Sequence, residues 1–476
     1  MPSAGVKPEA GWLRPALALV GALTALRLAA LVSGRTDLFV DEAQYWLWGQ
    51  NLDFGYYSKP PLIGWVIRAF TEVLGAAPWA VRAPGPLFHA ATALILGALG
   101  ARIGGARAGF WAAALYISAP FVAVGSALIS TDTILAPFFA GALYFAWRTG
   151  EDRRAAHALA AGACAGAAFL AKYAAIYLIP GLALAALLAP GLRPGWRNAA
   201  LMALAFAAVI SPNVLWNLTH QLTTVEHTMD NVGWLRSGAG LKFGSMAEFF
   251  GAQFAVFGPV SFAALLWAVA RPGAGARRWL APFAAIPVGV VTVQALLNKA
   301  YANWAVTGYF AGAVLVALML PPLWRRVALG LNLIVALALP ALLLLAPWPE
   351  AGGKPLLKRY LGRAELSTRI LALARAEGVP VYATDRDILA DLFYTGRDSG
   401  VTIYAPRPEA RARNYYEQTY PLPEGFAGRV LWVRNAPLDC GAGAVPPAGM
   451  LAPSGAWAGK GITPYLVEGG CIDATD

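Results

Sequence analysis

The chain has 476 residues, of which 58% are hydrophobic and only 13% charged, and its formal net charge is +11. A soluble protein of this size needs more charge to cover its surface, so the composition excludes an ordinary water-soluble enzyme. The positive balance does not point to nucleic acid either. The arginines collect in alternate links between apolar runs of roughly 20 residues, the pattern of a polytopic helical membrane protein.

The first apolar run, 13–33, is long, lacks a small-residue cleavage site and leads into functional-looking sequence, so it reads as a retained membrane helix. The loop 34–82 follows. It holds Asp41-Glu42-Ala43-Gln44-Tyr45-Trp46-Leu47-Trp48 and then Phe54-Gly55-Tyr56-Tyr57-Ser58-Lys59-Pro60-Pro61. A short interfacial helix is predicted over 41–52, with Tyr45, Trp46 and Trp48 at headgroup depth. A second is predicted after Pro60-Pro61, because proline suits the first turn of a helix. In it Gly64, Arg68, Thr71, Glu72 and Gly75 share one helical face, and Leu62, Ile63, Trp65, Val66, Ala69, Phe70, Val73 and Leu74 make up the apolar remainder. At about four turns it is too short to cross a bilayer and should lie in the interface. Juxtamembrane structure explains the aromatics. It does not explain why Asp41, Glu42 and Lys59 crowd a loop otherwise low in charge, so this loop is the leading candidate for an active site.

Further spans are predicted at 83–101, 108–127, 130–147, 155–171, 173–190, 199–216, 246–269, 279–297, 302–321 and 327–346, about eleven with the first. One set of links carries Arg102 and Arg107, then Arg148, Arg153 and Arg154, then Arg193 and Arg197, then Arg271, Arg277 and Arg278, then Arg325 and Arg326. The positive-inside rule makes that set cytoplasmic, together with Lys7 and Arg14 at the N-terminus. The loops 34–82 and 217–245, the turn 298–302 and the C-terminal segment then lie outside, in the periplasm of a Gram-negative cell. No internal repeat of the transporter kind is evident.

From about residue 347 polar residues return. Helices are predicted at 365–376 and 388–394 and extended runs at 379–383, 401–404 and 429–433, a small α/β domain over 347–476 behind a membrane domain over 1–346. The glycine-rich stretch 441–449 lacks the strand-turn-helix setting of a dinucleotide site. Cys440 and Cys471 fall on the oxidising side, where a disulfide would contribute about 3 kcal/mol; two unpaired thiols fit the spacing equally well. Cys164, in an apolar helix, reads as packing.

The sequence Asp-Glu-Ala-x-Tyr-Trp-Leu-Trp, followed after about ten residues by Gly-Tyr-Tyr-x-x-Pro-Pro, resembles the first periplasmic loop of GT-C membrane glycosyltransferases. The group is that of protein O-mannosyltransferases and lipid A aminoarabinose or galacturonic acid transferases. Val81-Arg82-x-Pro84, Thr131-Asp132, Leu170-Ala171-Lys172-Tyr173 and Ala302-Asn303-Trp304-Ala305 extend the resemblance over roughly 13–345. Lys59 before the diproline is as in the aminoarabinose branch, where many bacterial relatives have His, and Ser58 replaces a common acidic residue. The resemblance implies a GT-C fold, a polyprenyl-phosphate-linked sugar donor, and an acceptor outside the cytoplasmic membrane. That acceptor is a glycolipid such as lipid A or lipopolysaccharide core, or a protein hydroxyl as the variant.

Such transfer needs negative charge near the acceptor or the anomeric carbon and positive charge near the departing phosphate. Asp41 suits the first need as general base or electrostatic stabiliser, with Glu42 orienting the sugar or holding Asp41. Lys59, Arg82, Lys172 and Lys299 are the candidates for the phosphate; lipid anchoring is the competing role for Arg82 and snorkelling for Lys172. Tyr56, Tyr57, Asp132 and Asn303 are candidates for sugar or acceptor contacts, against an aromatic belt for the tyrosines and a helix cap for Asp132. Arg27 should snorkel or pair internally. His220 and His227 suit no standard metal site and read as solvated. No cofactor is required by these roles, and a divalent cation at Asp41 or Glu42 stays open. A lipid-linked sugar flippase and a non-catalytic scaffold are the other classes; neither accounts for the acidic pair as directly.

Overall fold

The computed structural model describes residues 10–233, 240–441 and 443–473. Its membrane body starts with α1 (Leu13–Ser33), and the loop that follows carries α2 (Val40–Gln50), α3 (Leu62–Leu74) and α4 (Pro78–Arg82). Then come α5 (Pro84–Ser118), α6 (Pro120–Ala127), α7 (Thr131–Asp152), α8 (Ala155–Ala171), α9 (Leu178–Leu188) and α10 (Trp196–Thr219). The body is completed by α11 (Thr223–Val232), α12 (Phe243–Val256), α13 (Pro259–Ala270), α14 (Ala276–Leu297), α15 (Gly308–Met319) and α16 (Pro322–Leu345).

Each predicted span falls on a helix, but several are broken. Among the described residues five helical stretches are long and apolar enough to cross a membrane unaided, and a sixth arises if α12 and α13, bent by 113°, count as one span. α5 is a hairpin of two limbs turned at Gly104 and Gly105, where Gly105 has a φ of +77° that only glycine adopts at no steric cost. The limbs touch along Gly97, Gly100 and Gly109; a Cβ on Gly100 would lie 2.9 Å from the Ala108 carbonyl oxygen. The predicted span 108–127 breaks at Ala119, where Pro120 begins α6. The predicted spans 173–190 and 302–321 both open with a turn of 3-10 helix, at Tyr173–Tyr177 and Ala302–Ala305.

These turns place the functional groups. α7 runs away from Asp132 toward Arg148, and α8 packs against it and returns to Lys172. Asp132 and Lys172 therefore share one end of the body, and the arginine-bearing link between the two helices lies at the other. Arg102, in the α5 turn, pairs with Glu151 at that far end. Arg27 pairs internally, its Nη2 donating to the Ile117 carbonyl at 2.8 Å.

After α16 come a small hairpin, β1 (Glu350–Ala351) and β2 (Lys354–Pro355), and helices α17 (Arg363–Glu377) and α18 (Arg386–Thr395) flanking β3 (Val381–Ala383). β4 (Ile403–Tyr404), α19 (Tyr415–Thr419), β5 (Arg429–Arg434), β6 (Thr463–Glu468) and α20 (Gly469–Asp473) complete the chain. The four-stranded sheet has the order β4-β3-β5-β6, with β3 parallel to both its neighbours and β6 antiparallel to β5. Side chains of β5 alternate as a strand demands. Leu431 and Val433 join the core with α17, and Val430 and Trp432 join a second cluster with Tyr382, Tyr465 and the Cys440–Cys471 disulfide. β6 and α19 escaped the sequence reading.

The domain sits directly on α2. Trp46 meets Tyr394 edge-on at 5.1 Å, Trp48 meets Tyr415 at 5.9 Å, and Asn51 Nδ2 donates to the Tyr420 hydroxyl at 2.7 Å. This corrects the headgroup expectation for α2: Tyr45, Trp46 and Trp48 are buried in protein. α3 buries Ile63 and Ile67 against the body, with Leu62 and Val66 packed beside them, and leaves Val73 and Leu74 exposed at its C-terminal end.

Candidate active site

A polar chamber of about 530 Å³ opens between the membrane body and the C-terminal domain, within the size range of small-molecule sites. Asp41, Gln44, Tyr45, Tyr57, Ser58 and Lys59 line it from the first loop, Ser130, Thr131 and Asp132 from the start of α7, and Lys172 from the end of α8. His227, Tyr301, Asn303 and Trp304 form another wall, and Arg386, Arg413, Asn414 and Tyr415 come down from the C-terminal domain.

Local structure explains each placement. α2 starts at Val40, so Asp41 and Glu42 both fall in its first turn, where carboxylates suit the helix dipole. They point to different places, as neighbours about 100° apart on a helix must. Glu42 Oε2 accepts from the Phe39 backbone N–H at 2.9 Å, the reach-back half of a capping box. It also takes Arg82 through two bonds of 2.9 and 2.7 Å, and its Oε1 accepts from the Ile129 N–H at 2.9 Å. Arg82 spends its remaining donors on Thr36 Oγ1 at 2.8 Å and the Asp37 carbonyl at 2.7 Å. Both members are 2% exposed. Arg82 and Glu42 thus form a saturated buried clamp joining the loop, α4 and the approach to α7. Neither lines the chamber, which corrects their assignment to phosphate binding and catalysis: no donor or lone pair is left over for a substrate.

Asp41 faces the chamber instead. Its Oδ1 accepts from Arg386 Nη2 at 2.6 Å, and Arg386 Nε donates to Gln44 Oε1 at 3.0 Å. The Asp41 side chain is 48% exposed and that of Arg386 39%. A pair this open is worth about 0.2–1 kcal/mol, against the roughly 3–5 kcal/mol lost on breaking a buried one. The Arg82–Glu42 clamp holds the fold, and the Arg386–Asp41 pair is free to exchange partners. Burial is the largest influence on the Arg386 charge and works against it, but the Asp41 carboxylate, Tyr416 and Tyr45 together leave its pKa raised.

Across the chamber Lys172 sits in extended conformation where α8 stops, and its Nζ donates to both Asp132 oxygens, at 2.7 and 2.8 Å. Asn303 Nδ2 donates to Asp132 Oδ2 at 2.9 Å. Ser130, not Asp132, caps α7 by accepting from the Thr133 N–H at 3.4 Å. Three segments far apart in sequence are therefore brought together on one carboxylate. Lys59 projects into the same space, and among the described residues its ammonium has no hydrogen bond or ion pair. Burial, followed by repulsion from Lys172, lowers its pKa to about 8.

The remaining candidates separate. Tyr57 lines the chamber and donates its hydroxyl to the Ala412 carbonyl at 2.9 Å. Tyr56 does not. It stacks flat on Trp48 at 4.7 Å, donates to the Trp48 carbonyl at 2.8 Å, and is a core residue. Lys299 is exposed beside the Tyr301 ring, at 5.1 Å, outside the chamber lining. His227, read as solvated, lies in the wall 5.1 Å from the Tyr57 ring; burial and then Lys59 lower its pKa to about 4, so it is neutral. His220 stacks on Trp216 at 4.2 Å. Among the described residues no three His, Cys, Asp or Glu side chains gather to hold a metal ion.

Sequence reasoning missed Arg386, Arg413 and Asn414. Asn414 caps α19 by accepting from the Tyr416 and Glu417 N–H groups, and Arg413 Nε donates to Glu417 at 3.0 Å. The local signal at 385–386 was only Asp385 as a helix cap.

A helical body with spans long enough to cross a membrane, topped by a small α/β domain and a chamber in which carboxylates face cations, is the architecture of a polytopic membrane protein with a candidate site at one end of its helices. The family model for dolichyl-phosphate-mannose-protein mannosyltransferase matches residues 58–216. The lipid A galacturonosyltransferase RgtD of Rhizobium johnstonii is 42% identical over 474 residues, covering 96% of this chain and 99% of that protein. The crystal structure of ArnT from Cupriavidus metallidurans bound to undecaprenyl phosphate superposes with a TM-score of 0.68 at 15% identity, over 96% of this chain and 98% of that one. The apo form of the same protein gives 0.66 at 14% identity, over 94% and 97%. The chain belongs to the GT-C membrane glycosyltransferases, in the group that includes the lipid A galacturonosyltransferases.

Proposed function

We propose that this glycosyltransferase moves galacturonic acid from a polyprenyl-phosphate carrier to a lipid A-type glycolipid, at the periplasmic face of the bacterial inner membrane. The carrying observation is that Asp41 and Lys59, whose ammonium has no partner among the described residues, line one chamber, with Lys172 held beside them by Asp132. The named sugar and acceptor follow the 42% identical relative, a lipid A galacturonosyltransferase. A polyprenyl carrier accords with the fold match to a protein crystallised with undecaprenyl phosphate.

In this reading the donor phosphate rests against Lys59 and Lys172, which offset its charge as it departs. The bond between the anomeric carbon and the phosphate oxygen breaks, and its electron pair leaves with the polyprenyl phosphate. An acceptor oxygen bonds to the same carbon. If that oxygen belongs to a hydroxyl, Asp41 takes its proton. If it belongs to a phosphate, no proton moves and Asp41 steadies the positive charge that gathers on the sugar ring. Asn303 and Asp132 hold Lys172 in place, and Tyr57 and His227 wall the sugar. The arginine-bearing links at the far end of the body are cytoplasmic by the positive-inside rule, as is the N-terminus, and the C-terminal domain is periplasmic.

Purified protein given labelled polyprenyl-phosphate galacturonic acid and lipid A should place label on lipid A and release polyprenyl phosphate. Label that crosses reconstituted vesicles with its sugar–phosphate bond intact would replace this reading with that of a flippase.

A further inference from the structure

We infer that Arg386, carried by the C-terminal domain, is the residue that distinguishes an acidic donor sugar from a neutral one, by binding the carboxylate of the hexuronic acid. This rests on the donor reading above and names the part of the donor that Arg386 takes.

The cations of the chamber come from two directions. Lys59 and Lys172 rise from the membrane body, where a lipid-linked phosphate must arrive. Arg386 and Arg413 descend from the C-terminal domain. Asp41 and Asp132 lie among them. A hexuronosyl phosphate carries two anions at separate points of its ring, the phosphate on the anomeric carbon and the carboxylate on the carbon across the ring oxygen. A neutral sugar phosphate carries one, which Lys59 and Lys172 suffice to meet.

The guanidinium has one edge to offer. Its Nε is anchored on Gln44 and its Nη2 on Asp41, while Nη1 makes no hydrogen bond within the described protein. A planar fork anchored by one edge offers the other to a carboxylate, a match that a lysine would not make. The Asp41 contact is half exposed and cheap to give up. The sugar carboxylate takes the Nη1–Nη2 edge through Nη1 and the second N–H of Nη2, beside the Asp41 contact.

The test compares two donors that differ only at this group, polyprenyl-phosphate galacturonic acid and polyprenyl-phosphate galactose, and reads the ratio of their kcat/KM values. Wild-type protein should favour the uronate by roughly tenfold or more, the range of a charge-assisted hydrogen bond. Arg386→Gln should collapse that ratio toward one, and Arg386→Lys should restore part of it. If Arg386→Gln slows both donors alike and keeps the ratio, Arg386 only positions Asp41 and the inference is overturned. A wild-type enzyme that uses both donors equally overturns it as well. Wild-type protein that turns over neither donor defeats the donor reading itself, and this inference falls with it.

Discussion

Arg386 and Asp41 are 345 positions apart, yet the guanidinium of one meets the carboxylate of the other at 2.6 Å. The contact makes the chamber a joint product of two parts of the chain. The membrane body supplies the acid and the lysines, and the C-terminal domain closes the space over them through Trp46 on Tyr394 and Asp37 Oδ2 accepting from the Arg363 N–H at 2.8 Å. The domain is therefore a wall of the chamber.

The buried clamp should behave as structure. Arg82→Ala leaves Glu42 charged and unpaired inside the protein, at a cost of about 3–5 kcal/mol. Thermal unfolding in detergent should show a large loss of stability for Arg82→Ala and for Glu42→Ala. A variant that melts like wild type but no longer binds undecaprenyl phosphate would return Arg82 to the phosphate site.

Donor use should fall as pH rises through about 8. Lys59 is held near that value by burial and Lys172, so its ammonium is complete below it and lost above it. Because donor binding needs the charged form, kcat/KM should decline on the alkaline side. Lys59→Arg, charged throughout, should carry activity beyond about pH 9. His227, already neutral, adds no alkaline limb. A profile flat to about pH 9 in the wild type would remove Lys59 from the donor site.

The two outer lysines should part company. Lys172→Ala removes a cation from the chamber and frees Asp132, and donor KM should rise by about tenfold or more. Lys299→Ala, at an exposed turn outside the chamber, should leave donor KM unchanged. Equal effects of the two substitutions would contradict the geometry.

Much of this was legible in the sequence, for physical reasons. The amphipathic period of 62–74 gave α3 within a residue or so, charges stranded in an apolar chain pointed to Asp41, Lys59 and Lys172, and the family resemblance pointed to Asp132. What escaped was whatever depends on two distant segments meeting. Arg386 reads as an ordinary solvated arginine in an α/β domain, and only the docking of that domain turns it toward Asp41. Glu42 and Arg82 carry the same local signal as Asp41 and Lys59; their burial, which reverses their role, is set by tertiary packing. Trp48 and Tyr56 look like an interfacial belt because aromatic composition is alike in a belt and in a stacked core. The kink between α12 and α13 falls at Gly258-Pro259 inside a continuous apolar run, which hydropathy alone counts as one span.

The most direct test is single-turnover transfer by Asp41→Asn with labelled polyprenyl-phosphate galacturonic acid and lipid A, alongside its melting temperature and undecaprenyl phosphate affinity. Asp41 is half exposed and its pair with Arg386 is weak, so the fold and carrier binding should stay near wild type, while transfer drops by about a hundredfold or more. Transfer within a few fold of wild type would contradict the account, since the chamber would then work without the carboxylate at its centre.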